Sequence, residues 1–194
     1  MSKDFHIRNF NENDFESIIQ IANSRFGNDY IQKQELAHYL KEENKIGVVA
    51  LINNEIVGFA LAQTCDLKTL LDIVLCKQEW FNEHFIKVET IGLLKTIAVD
   101  SNYTNQGIGK ALTEYRIKEL HKQAKSLLAI SWRNKNNSAN VHILEKIGFT
   151  LKLEIENYWG KDSITKGYDC IVCGKPPCNC EALIYTIKLF NLDI

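Results

Sequence analysis

Thr96-Ile-Ala-Val-Asp-Ser-Asn-Tyr-Thr-Asn-Gln-Gly-Ile-Gly-Lys-Ala-Leu112 is the stretch on which the reading of this chain turns. It opens apolar, passes through a polar turn holding Gly107 and Gly109, and ends in the start of a helical pattern. A strand that runs through a glycine turn into a helix leaves unpaired backbone N–H groups at the positive end of the helix dipole. Such a junction favours an anion, and glycine lets a phosphate approach the main chain. Lys110 adds a positive charge. Taken alone, Gly-x-Gly is equally compatible with a plain tight connection between strand and helix. Two other phosphate motifs fail. A dinucleotide fingerprint starting at Gly107 would need glycine where Leu112 stands, and a P-loop would need glycine at Thr104 and Ser or Thr at Ala111.

Upstream of this stretch, Val88 to Val99 is long and apolar enough for a central strand, with Gly92 as a candidate bulge. Downstream, the spacing predicts a helix from Gly109 to about Gln123, with Ala111, Leu112, Tyr115 and Leu120 as its apolar stripe. Leu127 to Trp132 reads as a buried strand, Ala139 to Ile147 as a short helix closed by Gly148, and Leu151 to Tyr158 and Ala182 to Leu189 as the last strands. Towards the N-terminus, Phe5 to Arg8 alternates like a strand. Asn13 with Glu16 reads as a helix cap before Phe15, Ile18, Ile19 and Ala22. A weaker helical pattern follows Asp29, with Ile31, Leu36, Tyr39 and Leu40 as its buried side. Gly47–Ile52 and Glu55–Ala62 form a hairpin across Asn53-Asn54, a pair that tolerates the positive φ of a tight turn. Residues 66–87 read as a helical insertion, carrying Leu70, Leu71, Ile73, Val74, Trp80, Phe81, Phe85 and Ile86. This order predicts an α/β fold, a mixed and mostly antiparallel sheet flanked by helices.

The 194 residues suit one domain over 1–194. Twenty-three basic against 24 acidic side chains leave no global positive field, so nucleic acid is not expected as a partner. No apolar run approaches the roughly 18 residues needed to cross a bilayer, so no membrane is expected. Met1 to Arg8 carries charges where a secretory signal needs an apolar stretch, which makes the expected location cytoplasmic.

Cys170-x-x-Cys173-x4-Cys178-x-Cys180 sets four thiols within a metal-binding loop, residues 170–180, that also holds Pro176 and Pro177. Four thiolates at this spacing suit one tetrahedral ion, with zinc as the natural choice and a structural role, since a closed site has no open position. Disulfides, reactive free thiols and an iron–sulfur cluster are the alternatives. Tyr158 and Trp159, close by in sequence, are candidates either for substrate entry or for the core.

Leu94 to Leu112 resembles the acyl-CoA motif of the GNAT N-acetyltransferase superfamily, and Asn137-Ser-Ala-Asn-Val-His-Ile-Leu-Glu-Lys-Ile-Gly-Phe149 resembles that family's next motif. The resemblance implies splayed central strands with the cofactor filling the gap. It also implies pyrophosphate on the backbone amides of Asn105, Gln106, Gly107, Ile108, Gly109 and Lys110. Ile97, Ala98 and Val99 would lie beside the pantetheine arm, with Ile97 and Val99 pairing with it, and Asn137 would contact it from the neighbouring strand end. The implied reaction moves an acetyl group from acetyl-CoA to a primary amine, small-molecule or peptide, by direct attack in a ternary complex. The acceptor stays open among polyamines, antibiotics, amino acids, protein N-termini and lysine side chains. Three positions depart from the family pattern. Thr104 stands at a usual Arg or Gln, Asn105 at a frequent Gly, and Leu144 where many members carry the tyrosine that protonates the departing thiolate.

A base is useful, because a lysine-like ammonium has a pKa of about 10.4 and must lose its proton before attack. The family's usual glutamate position aligns with Leu93, so Glu89 becomes the candidate base, acting through water, against the alternative of a solvated carboxylate. Tyr103 and His142 are further candidates for proton transfer, and Glu83 and His84 for an acceptor pocket. The Val99 amide is a candidate oxyanion donor. A reading of another class is a noncatalytic CoA-binding or zinc-knuckle interaction module.

Overall fold

The structure, a computed structural model, describes residues 4–75, 79–81, 85, 88–133 and 139–188. Seven strands form one sheet: β1 (His6–Asn9), β2 (Lys45–Ile52), β3 (Glu55–Cys65), β4 (Ile91–Val99), β5 (Ser126–Arg133), β6 (Thr150–Ile155) and β7 (Glu181–Lys188). Their spatial order is β1-β2-β3-β4-β5-β7-β6. Every neighbouring pair is antiparallel except β4 and β5. The helices are α1 (Phe15–Phe26), α2 (Lys33–Lys41), α3 (Leu67–Val74), α4 (Ile108–His121), α5 (Ala139–Ile147) and α6 (Gly160–Lys166).

Strand alternation decides which helices cover which face. Val49, Leu51, Phe59 and Leu61 pack with Ile18, Ala22, Leu36 and Tyr39 of α1 and α2. Their neighbours Val48, Ala50 and Ala60 turn to the other face, against Ile108 and Leu112 of α4. On the far half of the sheet, Leu94, Leu127 and Leu183 meet α4 and α5, whereas Leu93, Leu128 and Ile184 meet Leu70, Val74, Phe81 and Phe85. The mixed, mostly antiparallel α/β sheet expected from the sequence is the one observed. No helix of the described residues is long and apolar enough to cross a membrane.

The hairpin turn falls on Asn53 and Asn54, both at positive φ (50° and 66°), with Ile52 paired to Glu55. Other local expectations shift. Gly92 is no bulge: it pairs in register with Thr64 and Leu127, and a Cβ there would lie 2.4 Å from Leu127 Cδ2. It leaves room for side-chain packing, and the irregularity in the pairing lies across the strand, between Ala60 and Ala62. Leu40, placed in the core by its pattern, is 40% exposed. Helix α6 has no side-chain cap and no strong apolar period to announce it. In the 66–87 insertion, Asp66 caps α3 through the Thr69 amide at 2.8 Å, while Glu83, His84 and Ile86 lie outside the described residues, as does Leu189.

The start of α1 is fastened two residues ahead of Asn13, at Asn11. Asn11 and Asp14 form a capping box on the short 3-10 turn Glu12–Asp14, with Asn11 N–H donating to Asp14 Oδ2 at 2.8 Å. Arg8 of β1 grips the same carboxylate with two bonds, 2.6 and 2.9 Å. Hydrogen bonding from Arg8 holds the Asp14 carboxyl below its usual pKa, against the opposing effect of burial. A depressed folded-state value means stabilisation that is present at neutral pH and lost as pH falls below about 4. Asp14→Asn is expected to cost about 2 kcal/mol at pH 7. Urea unfolding across pH should show the gap between the two proteins narrowing as pH falls below about 4, and a constant gap would contradict this account.

Candidate active site

The parallel ladder between β4 and β5 is short. It joins Ile91–Leu94 to Ser126–Ala129 and stops. Beyond it, β4 stays with β3 as far as the Gly58–Val99 pair, and β5 stays with β7 along its whole length. The two central strands therefore part after Leu94 and Ala129. The Asp100 amide donates to the Val57 carbonyl at 2.9 Å. By alternation, the N–H and C=O groups of Ile97 and Val99 face the gap, while Ala98 faces β3.

Arg116 braces this opening from α4. Its side chain is 1% exposed, with Nη1 donating to the carbonyls of Leu61 (3.1 Å) and Thr96 (3.5 Å) and Nη2 to Thr113 Oγ1 (3.3 Å). No carboxylate among the described residues pairs with it. Burial pulls its pKa down to about 9, which leaves it charged at neutral pH. Arg116 was absent from the apolar stripe read in the sequence, yet its place four residues after Leu112 and four before Leu120 puts it on the buried side.

The glycine turn delivers the chain into α4. Asn105 and Gly107 both take positive φ, 61° and 83°, and the first helical bond runs from the Ala111 amide to the Gly107 carbonyl at 3.0 Å. The amides of Ile108, Gly109 and Lys110 precede that bond and have no intrahelical acceptor. The first turn of α4 has no acidic residue, so the positive end of the helix is not neutralised there. Lys110 Nζ lies back along the helix on Glu114 at 3.2 Å.

The remaining candidates lie in several places. Tyr103 donates its hydroxyl to Glu55 Oε2 at 3.1 Å, a bond that raises its pKa. Glu89 is exposed just ahead of β4, and His142 is exposed on α5. Leu144, at the position of the family tyrosine, is 1% exposed in the core beside Ile117 and Phe149. Asn137 lies outside the described residues.

A cavity of about 140 Å³ opens where the strands part. Phe26 from the end of α1, Tyr30 from the α1–α2 connection, Trp132 from β5, and Tyr158 and Trp159 between β6 and α6 form its aromatic walls. Rings of Phe26 and Tyr30, and of Tyr158 and Trp159, stand 4.9 Å apart in each pair. Tyr158 is fixed by a 2.6 Å bond from its hydroxyl to the Ile73 carbonyl. Burial pushes the Tyr30 pKa up to about 12, partly countered by hydrogen bonding with Thr96 and Trp159. Lys95, Thr96 and Ile97 of β4 complete the lining with Ser131 and Asn140, which share a 3.0 Å bond. Tyr158 and Trp159 were candidates for such a pocket, and the other aromatics and Lys95 were missed. Lys95 had a signal: it is the lone charged residue in the apolar run Ile91–Val99.

The four cysteines close a compact cluster behind the aromatic wall. Their Sγ atoms all lie within 4.8 Å of one another, with separations of 3.8 Å (Cys170 to Cys180), 3.4 Å (Cys173 to Cys180) and 3.9 Å (Cys173 to Cys178). Tetrahedral zinc with Zn–S near 2.3 Å implies sulfur separations of about 3.8 Å, whereas a disulfide needs about 2.05 Å. The Val172 amide faces Cys170 Sγ at 3.5 Å and the Asn179 amide faces Cys173 Sγ at 3.4 Å. Burial pushes the Cys178 thiol far up and the Cys180 thiol to about 11. Buried thiolates therefore need a cation, and the donor set fits a soft tetrahedral one. The loop is tied to α1 by Ile171 N–H to Phe26 O (2.9 Å) and to α6 by Cys178 N–H to Ser163 Oγ (2.9 Å). Trp132 and Trp159 pack directly on Cys170, Cys178 and Cys180.

Residues 15–149 match the Acetyltransferase (GNAT) family, and the chain belongs to it. A curated relative is [Ribosomal protein bS18]-alanine N-acetyltransferase of Escherichia coli (strain K12), 38% identical over 66 residues, which span 34% of this chain and 44% of the relative. The solved ribosomal-protein-S18-alanine N-acetyltransferase from Escherichia coli superposes with a TM-score of 0.64 at 20% identity, covering 98% of this chain and all of the other. Arabidopsis thaliana NAA60 in complex with a bisubstrate analogue gives 0.69 at 14% identity, covering 95% of this chain and 98% of the other. At these identities the structures share the fold.

Nothing lies within 4 Å of a Cβ built on Gly107, so its requirement is conformational. Gly107→Ala is expected to cost about 1 kcal/mol in urea unfolding through left-handed strain. An unchanged midpoint would show that the turn relaxes freely.

Proposed function

We propose that this chain transfers the acetyl group of acetyl-CoA to a primary amine by direct attack in a ternary complex. The observation that carries the reading is the parting of β4 from β5 immediately ahead of the glycine turn. It sets an open strand edge in line with an unneutralised helix N-terminus, and family membership supports the same reaction. Amides from Asn105 to Lys110 hold the pyrophosphate, and Ile97 and Val99 pair with the pantetheine arm with Ala98 between them. Asn137 is assigned by motif to the same cofactor. Acetyl-CoA, when bound, supplies the activated thioester.

The aromatic walls give the cleft an apolar lining, and the Val99 amide, which faces the gap, is available to an oxyanion. With leucine at position 144, the Tyr30 hydroxyl is the proton donor we assign in the cavity, kept protonated by its raised pKa. Glu89, at the entrance to β4, is assigned to the amine proton through water. The acceptor is a small-molecule or peptide amine, and the alanine in the relative's name belongs to that class.

Cys170, Cys173, Cys178 and Cys180 hold a structural Zn²⁺ in this reading, supported by their tetrahedral spacing. Elemental analysis is expected to find one zinc per chain. Stripping it with a chelator, or Cys173→Ser, is expected to lower the melting temperature and shift tryptophan emission, because Trp132 and Trp159 rest on the cluster. A metal-free preparation that melts unchanged would refute this assignment.

Thermal shift tests the main reading. Acetyl-CoA and CoA at about 100 times their dissociation constants should each stabilise the protein by roughly 2.7 kcal/mol, with no effect from ATP or NAD. If neither coenzyme shifts the transition, the transferase reading falls and the noncatalytic zinc-knuckle module stands in its place.

A further inference from the structure

Lys95 is, among the described residues, a charge without a partner. It sits on β4 at the point where the ladder with β5 has just ended, partly buried and lining the aromatic cavity. Alternation from Leu93 places it on the sheet face that carries Tyr158 and Trp159. Among the described residues its Nζ makes no hydrogen bond or ion pair. The charged groups that act on it from neighbouring elements are Glu35, Asp162, Lys45 and Lys166. Both carboxylates are already engaged by Lys166, at 3.7 Å to Glu35 and 3.3 Å to Asp162. Lys45 is paired with Glu42 at 3.0 Å. One ammonium is left over, and it borders the cavity.

A desolvated, unpaired lysine is unfavourable for the fold, and such groups are seldom kept without a partner. Among the described residues the lining contains no carboxylate to receive a polycationic acceptor, so a polyamine would meet repulsion from Lys95 and no compensating anion there. An acceptor carrying its own anion would meet a cation and flat apolar walls. The cavity, about 140 Å³, is near the size that accepts a single benzene ring, which suits one side chain.

We propose that Lys95 anchors a carboxylate of the acceptor, which makes the acceptor a free amino acid with an apolar or aromatic side chain. This rests on the acetyltransferase reading, but binding at the cavity can be tested without it.

Trp132 and Trp159 line the cavity and report occupancy by fluorescence. The titration uses a panel of apolar and aromatic L-amino acids, including phenylalanine, with the corresponding amino-acid amides and spermidine. It is run on the metal-intact protein and on Lys95→Met and Lys95→Arg. At least one amino acid is expected to bind ten times or more tightly than its amide, with spermidine weaker still. Lys95→Met should abolish the preference for the acid, Lys95→Arg should retain most of it, and Lys95→Met should melt no lower than the wild type. An amide that equals or exceeds its acid throughout the panel, or spermidine as the tightest ligand, overturns the proposal. Loss of binding in Lys95→Met together with a lower melting temperature makes Lys95 structural and overturns it as well. The coenzyme thermal shift is independent, so failure of the transferase reading would appear there and not in this titration.

Discussion

The backbone of β4 past Leu94 has lost its neighbour, and the rest of the molecule is arranged around that loss. An unpaired main-chain group shut away from water costs about 1–3 kcal/mol. A sheet interior normally closes such a gap. Here closure is prevented from both sides, because β3 holds β4 to Val99 and β7 holds β5 from Ser126 to Arg133. What remains is an edge inside a sheet, able to pair with an extended ligand as an edge strand pairs with a neighbour.

Arg116 shows how the opening is kept from collapsing. The pairing irregularity opposite Ala60 and Ala62 frees carbonyls that the ladder would otherwise use, and the guanidinium takes up those of Leu61 and Thr96. A hydrophobic residue of equal volume would fill the space and leave those carbonyls dry. On the opposite rim the cysteine loop does comparable work through packing. It joins the end of α1, the start of α6 and the edge of β7, and two tryptophans lie between it and the cavity. The cluster is thus coupled to the shape of the cleft while its donor set leaves no open position for chemistry.

The sheet, most helices and the glycine turn were legible because each rests on a local pattern: β-rich apolar runs in β2 and β3, positive-φ asparagines at the hairpin, and glycine ahead of α4. The cysteine spacing was equally explicit. The cap of α1 was misplaced because two asparagines, Asn11 and Asn13, compete for the role, and Asp14 decides it through Arg8, a contact between elements. Gly92 was read as a bulge because a glycine in a strand does not say whether it bends the chain or makes room for Leu127. The cavity was the least legible part. Its aromatics come from the end of α1, from the α1–α2 connection, from β5 and from the β6–α6 connection, and no sequence period unites them. Charged residues in apolar contexts were the overlooked clue: Arg116 on a helix stripe and Lys95 within a strand.

The two cations show that a buried charge can serve opposite ends. Arg116 has both terminal nitrogens occupied by carbonyls and a hydroxyl, so most of its charge is spread into the main chain and its role is met on folding. Among the described residues Lys95 has no such acceptors, and the carboxylates that act on it are bound to Lys166. A net charge of −1 for the whole chain conceals both arrangements. Local fields decide here: an uncapped positive helix end beyond one end of β4 and, among the described residues, an unpaired ammonium in the cavity at the middle of the strand. The strand edge between them is neutral and hydrogen-bonding. A ligand that is anionic at one end, amide-like along its length and presents its reactive carbonyl beside the cavity matches that sequence of fields better than one of uniform charge.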